Sequence, residues 1–340
     1  MFFELSNEDR VRILHKLNKE AKKVAHLSDD LELPTQEISR HLSRLGEAGV
    51  TRKDVDGLYH ITSLGELILR EISALRFTMQ HKEYFATHSL ERLPTEFVSR
   101  IGELADSKYV NEATVVFYTI EKMFERAEKH VWTITNEYPI GVYPLVRESL
   151  KRGVPERNIE TKDRVRSIDS RSIIVSEEDR QALIRARAGG LHEERVLDRL
   201  DIWLFMSEKE VAAVGFPLLD GSFDYLAFIA TDRRSRKWCK DLFRYYWERA
   251  RLRASVAEEL YGWLRERPKA IHAFKSIAAE EEIVDGEELI SELENMSLIK
   301  QGKLTLLGEL VAGKYCMYCG TPNPRGDAFC QTCSRRMPDI

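Results

Sequence analysis

The sequence predicts an α+β protein of several domains: an N-terminal winged helix-turn-helix, an α/β middle domain, a second winged helix and a zinc ribbon. Three observations support this order. A helical pattern runs directly into a short hairpin at residues 34–62, the stretch at residues 61–67 recurs at residues 304–310, and four cysteines stand in two close pairs after residue 315. The 340 residues, 43% of them hydrophobic, suffice for two or three cores. The predicted boundaries are 1–82, 83–110 (a helical connector), 111–252, 253–313 and 314–340.

The first domain is predicted from its central helix and the elements around it. Ile38, Leu42 and Leu45 recur at helical spacing and predict a buried stripe, and Thr35 is a suitable N-cap. Asp56-Gly57 is typical of a tight hairpin turn. Together with a closing helix from residue 62, these elements have the order of a winged helix. The other predicted ranges are helices at 7–19, capped by Ser6, and at about 22–29, and strands at 50–54 and 58–61.

The polar side of this central helix has residue types that bond base edges and phosphates. An outward face of this kind is more often simply solvated, and residues 1–75 hold eleven Lys and Arg against thirteen Asp and Glu. Any positive surface must therefore be local, and the basic residues, with His41 among them, cluster on the helix and the first strand. The order of elements favours DNA binding. The predicted DNA-binding residues are Thr35, Gln36, Ser39, Arg40, Ser43, Arg44, Arg52 and Lys53.

Charge and cysteine usage limit the class of protein. A net charge of −4 argues against unspecific coating of nucleic acid. The first residues lack the features of a signal peptide, and no apolar run is long enough for a membrane span, so we expect a cytoplasmic protein with no membrane partner. In a reducing compartment, cysteine pairs indicate a metal site rather than disulfides.

The helix from residue 62 has an apolar stripe that is too long for a small domain to cover alone. Leu64, Ile68, Ile72, Leu75 and Met79 follow one another at spacings of three and four residues. The stripe can pair with its own copy in a two-fold dimer, or it can pack on the next domain. Both interpretations remain open at the level of the sequence.

Beyond the connector, which is broken at Pro94, alternating patterns predict an α/β domain with a mostly antiparallel end. Asp220-Gly221 is expected to turn the last strand pair. The predicted helices are 113–129, 143–152, 177–187 and an aromatic helix at 238–251, and the predicted strands are 131–135, 172–175, 201–206, 211–216 and 225–230.

No catalytic constellation stands out in this domain, and we expect no enzyme activity. It has no Gly-rich phosphate loop, no G-x-S-x-G elbow and no H-x-K arrangement. His130 and His192 are interpreted as surface or helix-end residues and Cys239 as a core thiol. Ligands of α/β sheets bind at the carboxyl ends of strands. The segment after the first predicted strand therefore offers a candidate effector site at Asn136, Tyr138, Tyr143 and Arg147.

Three segments of the chain resemble a known family. THSLERLPTEFVSRIGEL, EYPIGVYPLVRESLKRGVP and AAVGFPLLDGSFDYLAFIATDRRSRKWCKDLFRYYWERA are similar to archaeal winged-helix regulators of the methanogenesis regulatory protein family, over about residues 1–252. The resemblance implies a transcription regulator with an ArsR-like winged helix. It also implies a sensor-like middle domain, similar to phospholipase-D-like folds without their catalytic residues. It gives no ligand.

Residues 253–313 repeat the first domain in outline. LTLLGEL at 304–310 matches ITSLGEL at 61–67 in five of seven positions, residues 287–296 take the place of the recognition helix, and residues 300–303 take that of the wing. Residues 255–313 hold six Lys and Arg against twelve Asp and Glu, and such a surface is repelled by phosphates. We therefore expect this module to bind protein, either a second copy of the chain or a component of the transcription machinery.

The last segment contains the most specific motif of the chain. Cys316, Cys319, Cys330 and Cys333 form two C-x2-C pairs separated by ten residues, a spacing typical of a tetrahedral metal site with four thiolate ligands. Zn2+ is the predicted metal, and iron is its main competitor. Arg325, Arg335 and Arg336 make the ribbon mildly basic, although many zinc ribbons contact only protein.

These patterns favour a DNA-binding transcription regulator that acts on double-stranded DNA as a homodimer, with a small-molecule effector or a protein partner at its middle domain. Two alternatives belong to other classes. One is a phosphodiesterase or nuclease in the middle domain, and the other is a bridging factor of the transcription machinery that reads no sequence.

Overall fold

The computed structural model describes residues 7–139, 141–164, 177–281, 287–323 and 326–339. The chain forms two compact units. One contains the residues up to Ala86 together with Pro94–Ala105, and the other contains Thr87–Leu93 and the residues from Asp106 onward. The described residues include no helix with both the length and the apolar character of a membrane span.

The first unit has the predicted order of three helices, a hairpin and a closing helix. Its core consists of apolar side chains of the first three helices, with Val50 and Leu69 from the hairpin and the closing helix. The elements are α1 (Glu8–Leu17), α2 (Val24–Leu31), α3 (Thr35–Glu47), β1 (Thr51–Lys53), β2 (Tyr59–Ile61), α4 (Ser63–Gln80), α5 (Lys82–Thr87), α6 (Thr95–Val98) and a 3-10 turn at Ile101–Leu104.

Two predicted helix caps differ from the structure. Ser6 lies outside the described residues, and the N-cap of α1 is Asn7, whose Oδ1 accepts a hydrogen bond from the Arg10 N–H at 3.0 Å. Pro34 is the N-cap of α3, so Thr35 is the first helical residue and its side chain makes no capping bond. The Pro34 carbonyl accepts the Glu37 N–H at 2.9 Å and the Ile38 N–H at 3.0 Å, so the helical hydrogen bonds begin one residue earlier than predicted.

The long helix α4 buries a different face from the predicted stripe. Leu69, Ser73 and Phe77 are its buried side chains, and the 3-10 turn packs so closely on this helix that a Cβ on Gly102 would lie 2.5 Å from the Ala74 nitrogen. Ile68 and Ile72 pack at the edge of the core. The other residues of the predicted stripe are exposed, by 46% at Leu64, 60% at Leu75 and 61% at Met79.

In the second unit, eight strands of the described chain form one sheet. The elements are β3 (Lys108–Val110), α7 (Ala113–Arg126), β4 (Val131–Ile134), α8 (Val142–Lys151), β5 (Glu156–Thr161), α9 (Glu177–Ala188), β6 (His192–Leu197), β7 (Trp203–Ser207), β8 (Val211–Gly215), β9 (Ala227–Ala230), α10 (Arg233–Arg249) and β10 (Arg251–Leu252). The strand order is β10-β6-β5-β4-β7-β8-β9-β3. β4, β5 and β6 are parallel, and the other neighbours are antiparallel, in agreement with the predicted antiparallel end.

Four of these strands have no counterpart in the sequence prediction: β3, β5, β6 and β10. The strand predicted at residues 172–175 lies outside the described residues. β5 (ERNIET) and β6 (HEERVL) are rich in charged residues, although β5 is buried at five of its six positions. Hydrophobic periodicity cannot detect a strand whose buried side chains are polar.

Residues from Arg253 onward form three helices, a two-stranded hairpin and a closing helix, followed by the cysteine segment, and all of them belong to the second unit. The hairpin turn at Gln301 and Gly302 has positive φ at both residues, as a type I′ turn requires. The elements are α11 (Arg253–Arg265), α12 (Pro268–Ala279), α13 (Glu287–Asn295), β11 (Ile299–Lys300), β12 (Lys303–Leu304) and α14 (Leu306–Val311).

The repeated LGEL sequence forms the same local structure in both places. Thr62 and Thr305 cap the closing helices by accepting the N–H bonds of Gly65 at 3.1 Å and of Gly308 at 2.9 Å. A Cβ on Gly65 would lie 2.3 Å from the Val50 carbonyl oxygen, and one on Gly308 would lie 2.1 Å from that of Leu298. Both positions therefore require glycine, because each closing helix begins against the backbone of the residue that precedes the hairpin.

Candidate nucleic-acid interface and metal centre

The helix α3 separates an apolar face from a polar one. Ile38, His41, Leu42 and Leu45 are buried, and the periodicity that predicted the stripe is confirmed for its three apolar members. The six predicted DNA-binding residues of this helix are all exposed and lie on its other sides: Thr35, Gln36, Ser39, Arg40, Ser43 and Arg44.

The contacts on this polar face are weak and can be exchanged. Arg40, whose side chain is 68% exposed, lies 3.5 Å from the Glu37 carboxylate. The Ser43 hydroxyl donates to Glu47 at 3.2 Å, and the Ser39 hydroxyl donates to the Thr35 carbonyl at 2.8 Å. An exposed pair such as Arg40 with Glu37 contributes at most about 1 kcal/mol, so a phosphate or a base edge can displace the carboxylate at low cost.

His41 does not belong to the basic face, which corrects the sequence interpretation. Its side chain is buried beneath the helix, and neither ring nitrogen has a hydrogen-bond partner among the described residues. Burial, followed by the charge of Arg10, lowers the pKa of His41, which favours the neutral ring. The local positive charge therefore comes from the arginines of α3 and from the wing.

The wing is a two-stranded hairpin that exposes both predicted cations. Arg52 and Lys53 are exposed on β1, where they pair in register with His60 and Tyr59, and the Lys53 ammonium lies 5.4 Å from the centre of the Tyr59 ring. The Asp54 carboxylate shapes the turn, since it accepts the Leu58 N–H at 2.8 Å and contacts the His60 ring at 2.7 Å. The wing thus holds its cations on an ordered hairpin next to α3.

This segment has a recognised sequence family. Residues 7–53 match the bacterial regulatory protein, arsR family. The match spans α1 to β1 and confirms the ArsR-like part of the predicted resemblance, whereas the wider resemblance stays a prediction. No curated relative matches the sequence.

Two solved structures show distant likenesses. One is TrmBL2, described as an archaeal chromatin protein with a novel mode of DNA binding, at 16% identity and a TM-score of 0.34, covering 72% of this chain and 94% of that one. The other is an O-methyltransferase family protein from Burkholderia thailandensis, at 12% identity and a TM-score of 0.22, covering 58% and 63%. Likenesses this weak say nothing about the function of the chain.

Outside the ArsR-type segment, the four residues of the predicted effector site have partners within the protein. Asn136 Oδ1 accepts the Thr161 N–H at 2.8 Å and so ties the end of β4 to β5. The Arg147 side chain contacts Glu148 at 3.0 Å and Glu178 at 3.2 Å. The Tyr138 and Tyr143 rings lie 6.0 Å apart. Asn136 and Arg147 therefore already bind groups of the protein itself, and the effector site stays a prediction.

The sequence interpretation missed a buried network of charged residues that starts at Tyr138. The Tyr138 hydroxyl donates to Glu156 at 2.7 Å, and Glu156 contacts the His192 ring at 3.1 Å. The other side of that ring lies 3.4 Å from Glu194. His192 is therefore an interior residue between two carboxylates, not the surface or helix-end residue that the sequence suggested.

The same network connects the sheet to α11, the helix that follows β10. Arg253 on α11 contacts Glu160 at 3.2 Å and Glu194 at 2.5 Å. Arg164 lies 2.5 Å from Glu160, and Arg187 lies 2.8 Å from Glu194. Three arginines thus surround two carboxylates that are at most 8% exposed.

The environment of these groups sets their protonation. Burial lowers the pKa of His192, but the charges of Glu194 and Glu156 outweigh it and raise the pKa to about 9. Burial alone raises the pKa of the Glu194 carboxyl, yet Arg187, Arg253 and His192 together hold it well below its usual range. At neutral pH His192 is therefore protonated and Glu194 is ionised, and each contacts a partner of opposite charge.

The side chain of Cys239 on α10 is buried in the core, as predicted. It is fully buried, and its burial raises the pKa of the thiol. A thiol of this kind is neutral at physiological pH and a poor nucleophile.

The four cysteines of the ribbon converge on one point. Their Sγ atoms all lie within 4.8 Å of one another, with 3.6 Å between Cys316 and Cys333 and 3.5 Å between Cys319 and Cys330. Four sulfurs at about 2.3 Å from a central ion are about 3.8 Å apart in a tetrahedron, whereas a disulfide needs about 2 Å. The arrangement therefore fits one bound metal ion.

Each cysteine pair lies on a tight turn. The Gly320 N–H donates to the Cys316 carbonyl at 2.8 Å, and the Ser334 N–H donates to the Cys330 carbonyl at 2.9 Å. Gly320 and Ser334 both have positive φ. The Thr332 N–H lies 3.4 Å from the Cys330 sulfur, and donors of this kind stabilise a metal-bound thiolate. Arg325 lies outside the described residues.

Proposed function

We propose that this protein is a DNA-binding transcription regulator whose ArsR-type winged helix recognises duplex DNA. The observation that supports this most directly is the exposed polar face of α3, which presents Arg40 and Arg44 within the segment that matches the arsR family. An α-helix fits the major groove of B-DNA, where each base pair offers a distinct set of donors and acceptors.

The proposed contacts divide between bases and backbone. Arg40 and Arg44 have the planar donor groups that pair with guanine, and Gln36 can bond adenine in the same manner. The hydroxyls of Thr35, Ser39 and Ser43 suit phosphates or base edges. Arg52 and Lys53 on the wing suit the phosphate backbone, which positions the helix without specifying sequence.

We further propose that the protein acts as a homodimer through α4. Leu64, Leu67, Leu75 and Met79 are exposed by 46 to 61% on this helix. A second copy related by a two-fold axis would cover these side chains and present two recognition helices to a palindromic site.

The second winged helix has a different proposed role. Its helix α13 exposes Glu287, Glu288 and Glu294 and has no basic residue, so the position that corresponds to α3 is negatively charged. Repulsion by phosphates opposes DNA binding at this helix. We propose that residues 253–340 bind protein, either the second copy or a component of the transcription machinery.

The ribbon and the middle domain complete the proposal. Zn2+ is the proposed metal, since four thiolates in a tetrahedral arrangement suit it and a segment of this size has little core of its own. The middle domain is proposed to receive an effector or a protein partner and to perform no catalysis. The mutual pairing of its interior charges supports a structural role for those residues.

A selection of genomic DNA fragments with the purified protein, at a stated salt concentration, tests the proposal. We expect enrichment of one sequence motif with two half-sites about one helical turn apart. The same selection with Arg40→Ala/Arg44→Ala should enrich no motif. Failure of the wild-type protein to enrich any sequence would instead support a bridging factor that reads no sequence.

A further inference from the structure

The helix α10 and the neighbouring strands form a strongly positive surface that has no role in the proposed recognition of bases. α10 contains seven Lys and Arg and two acidic residues, in a chain whose net charge is −4. Arg233, Lys237, Lys240 and Arg244 follow one another at spacings of four, three and four residues, so they lie in one row along the helix.

The charge at the start of α10 is mixed. The N-cap Asp232 accepts the Arg234 and Ser235 N–H bonds with its carboxylate, and the first turn that follows contains Arg233 and Arg234 but no acidic residue. Positive side chains in a first turn oppose the helix dipole, so the row of cations is not explained by stabilisation of the helix.

Aromatic rings hold several of these cations in place. Trp132, Phe243 and Trp247 form a continuous stack, with ring centres 4.7 and 5.5 Å apart. The Lys240 ammonium and the Arg244 guanidinium lie 6.0 and 5.9 Å from the centre of the Trp132 ring.

The strand β5 extends the same surface at the other end of the stack. The Arg157 guanidinium lies 5.1 Å from the centre of the Trp247 ring, and that of Arg195 lies 4.4 Å from it. Arg195 also contacts the Glu193 carboxylate at 2.9 Å, whereas Arg157 is exposed and stacks on the ring alone.

An aromatic ring fixes a cation without cancelling its charge, whereas a carboxylate cancels it. Across the part of the chain that the structure describes, Arg157, Arg233, Arg234, Lys240 and Arg244 have no carboxylate within ion-pair distance, and only Lys237 in the row is paired, with Asp241 at 2.5 Å. The surface therefore combines ordered side chains with uncancelled positive charge, which lowers the entropic cost of binding an anion.

We infer that this surface, defined by Arg157, Arg233, Lys240 and Arg244, binds the phosphate backbone of duplex DNA without regard to sequence. From residue 233 to residue 244 the row is about 16 Å long, at about 1.5 Å per helical residue. Phosphates of one DNA strand follow each other at about 3.4 Å along the axis, so a rigid row of this length spans about five of them. The inference rests on the proposed function only in the choice of DNA as the polyanion.

The experiment compares the full-length protein with Arg157→Gln/Arg233→Gln/Arg244→Gln. A matched control, Lys151→Gln/Lys269→Gln/Lys314→Gln, removes the same charge at three exposed lysines elsewhere in the second unit. Binding to a duplex of random sequence is measured between about 50 and 200 mM salt. Thermal melts of all three proteins verify that they are folded.

Loss of three phosphate contacts should reduce the slope of log affinity against log salt by about 2.7, at about 0.9 per contact. Over a fourfold change in salt the affinity of the wild type should therefore fall about 40-fold more than that of the variant. The control should keep the wild-type slope. Glu248→Gln, which removes an exposed acidic residue from the same helix, should strengthen binding.

An unchanged slope in the α10 variant, or an equal loss in the control, would overturn the inference. The inference would also be overturned if the variant lost affinity for duplex RNA but not for duplex DNA, or if the substitutions changed only the oligomeric state of the protein. Arg40→Ala/Arg44→Ala distinguishes this inference from the proposed function, because it should abolish preference for a selected site and leave most of the unspecific binding. If that variant keeps its preference for the selected site while the α10 variant has a smaller slope of log affinity against log salt, α3 is not the recognition helix. The inference about the α10 surface would then still be supported.

Discussion

Replacement of Arg253 by methionine should destabilise the second unit by about 3 kcal/mol. Arg253 is 11% exposed and contacts two carboxylates, Glu160 and Glu194, that are 1% and 8% exposed. Removal of one partner from a buried ion pair costs about 3–5 kcal/mol because a charge is left without compensation. The lower figure applies here, since Glu160 keeps Arg164 at 2.5 Å and Glu194 keeps Arg187 at 2.8 Å.

Arg251→Met is the matched control, two residues away. Arg251 is 46% exposed and pairs with Glu259, which is 63% exposed, so its loss should cost at most about 1 kcal/mol. Urea unfolding followed by tryptophan fluorescence measures both, because all five tryptophans lie in the second unit. If the free energies of unfolding of Arg253→Met and Arg251→Met differ by less than about 1 kcal/mol, the buried network does not hold α11 to the sheet.

Three further predictions concern other parts of the chain. Gly65→Ala and Gly308→Ala should each destabilise their unit by about 1–3 kcal/mol, because the added Cβ would lie 2.3 and 2.1 Å from a carbonyl oxygen. The controls are Gly46→Ala and Gly262→Ala, where an added Cβ has nothing within 4 Å. In the same urea titrations these controls should be neutral or stabilising by up to about 1 kcal/mol. The free energy of unfolding of the second unit should fall by at most about 3 kcal/mol as pH rises from about 6.5 through about 9. The reason is that His192 loses its stabilising proton over that window, so His192→Asn should flatten the pH dependence. Elemental analysis should find one zinc ion per chain, and iron in place of zinc would refute the metal assignment. Cys316→Ser should reduce the zinc content and unfold the ribbon, while the far-UV spectrum and DNA binding by the first unit persist.

Local patterns in the sequence predicted the elements that local forces determine. The stripe of Ile38, Leu42 and Leu45 located α3, and Asp56-Gly57 located the turn of the wing, where Gly57 has a φ of 81°. The four cysteines located the candidate metal centre, because two tight turns fix their geometry without help from distant residues. The repeated LGEL sequence located the second closing helix for the same reason.

Elements that depend on distant partners were not predictable in this way. The charged residues Glu156 and Glu160 make the sequence of β5 typical of a solvent-exposed segment. Their partners His192 and Arg253 are distant in sequence and contact them only in the folded chain. On α4, apolar residues occur on several sides of the helix, so periodicity alone could not show that Leu69 and Phe77 would be the buried ones. The excess of Lys and Arg in α10 was visible in the sequence, but the aromatic stack beneath it was not.

The central claim is that α3 recognises DNA, and the affinity of Arg40→Ala/Arg44→Ala for a selected site tests it most directly. Arg70→Ala/Arg76→Ala, which removes two exposed arginines from α4, is the control at the same salt concentration. Loss of two base contacts at about 1–3 kcal/mol each should weaken the α3 variant at least about 30-fold, while the control binds like the wild type. Equal affinity of the α3 variant and the wild type would contradict the claim.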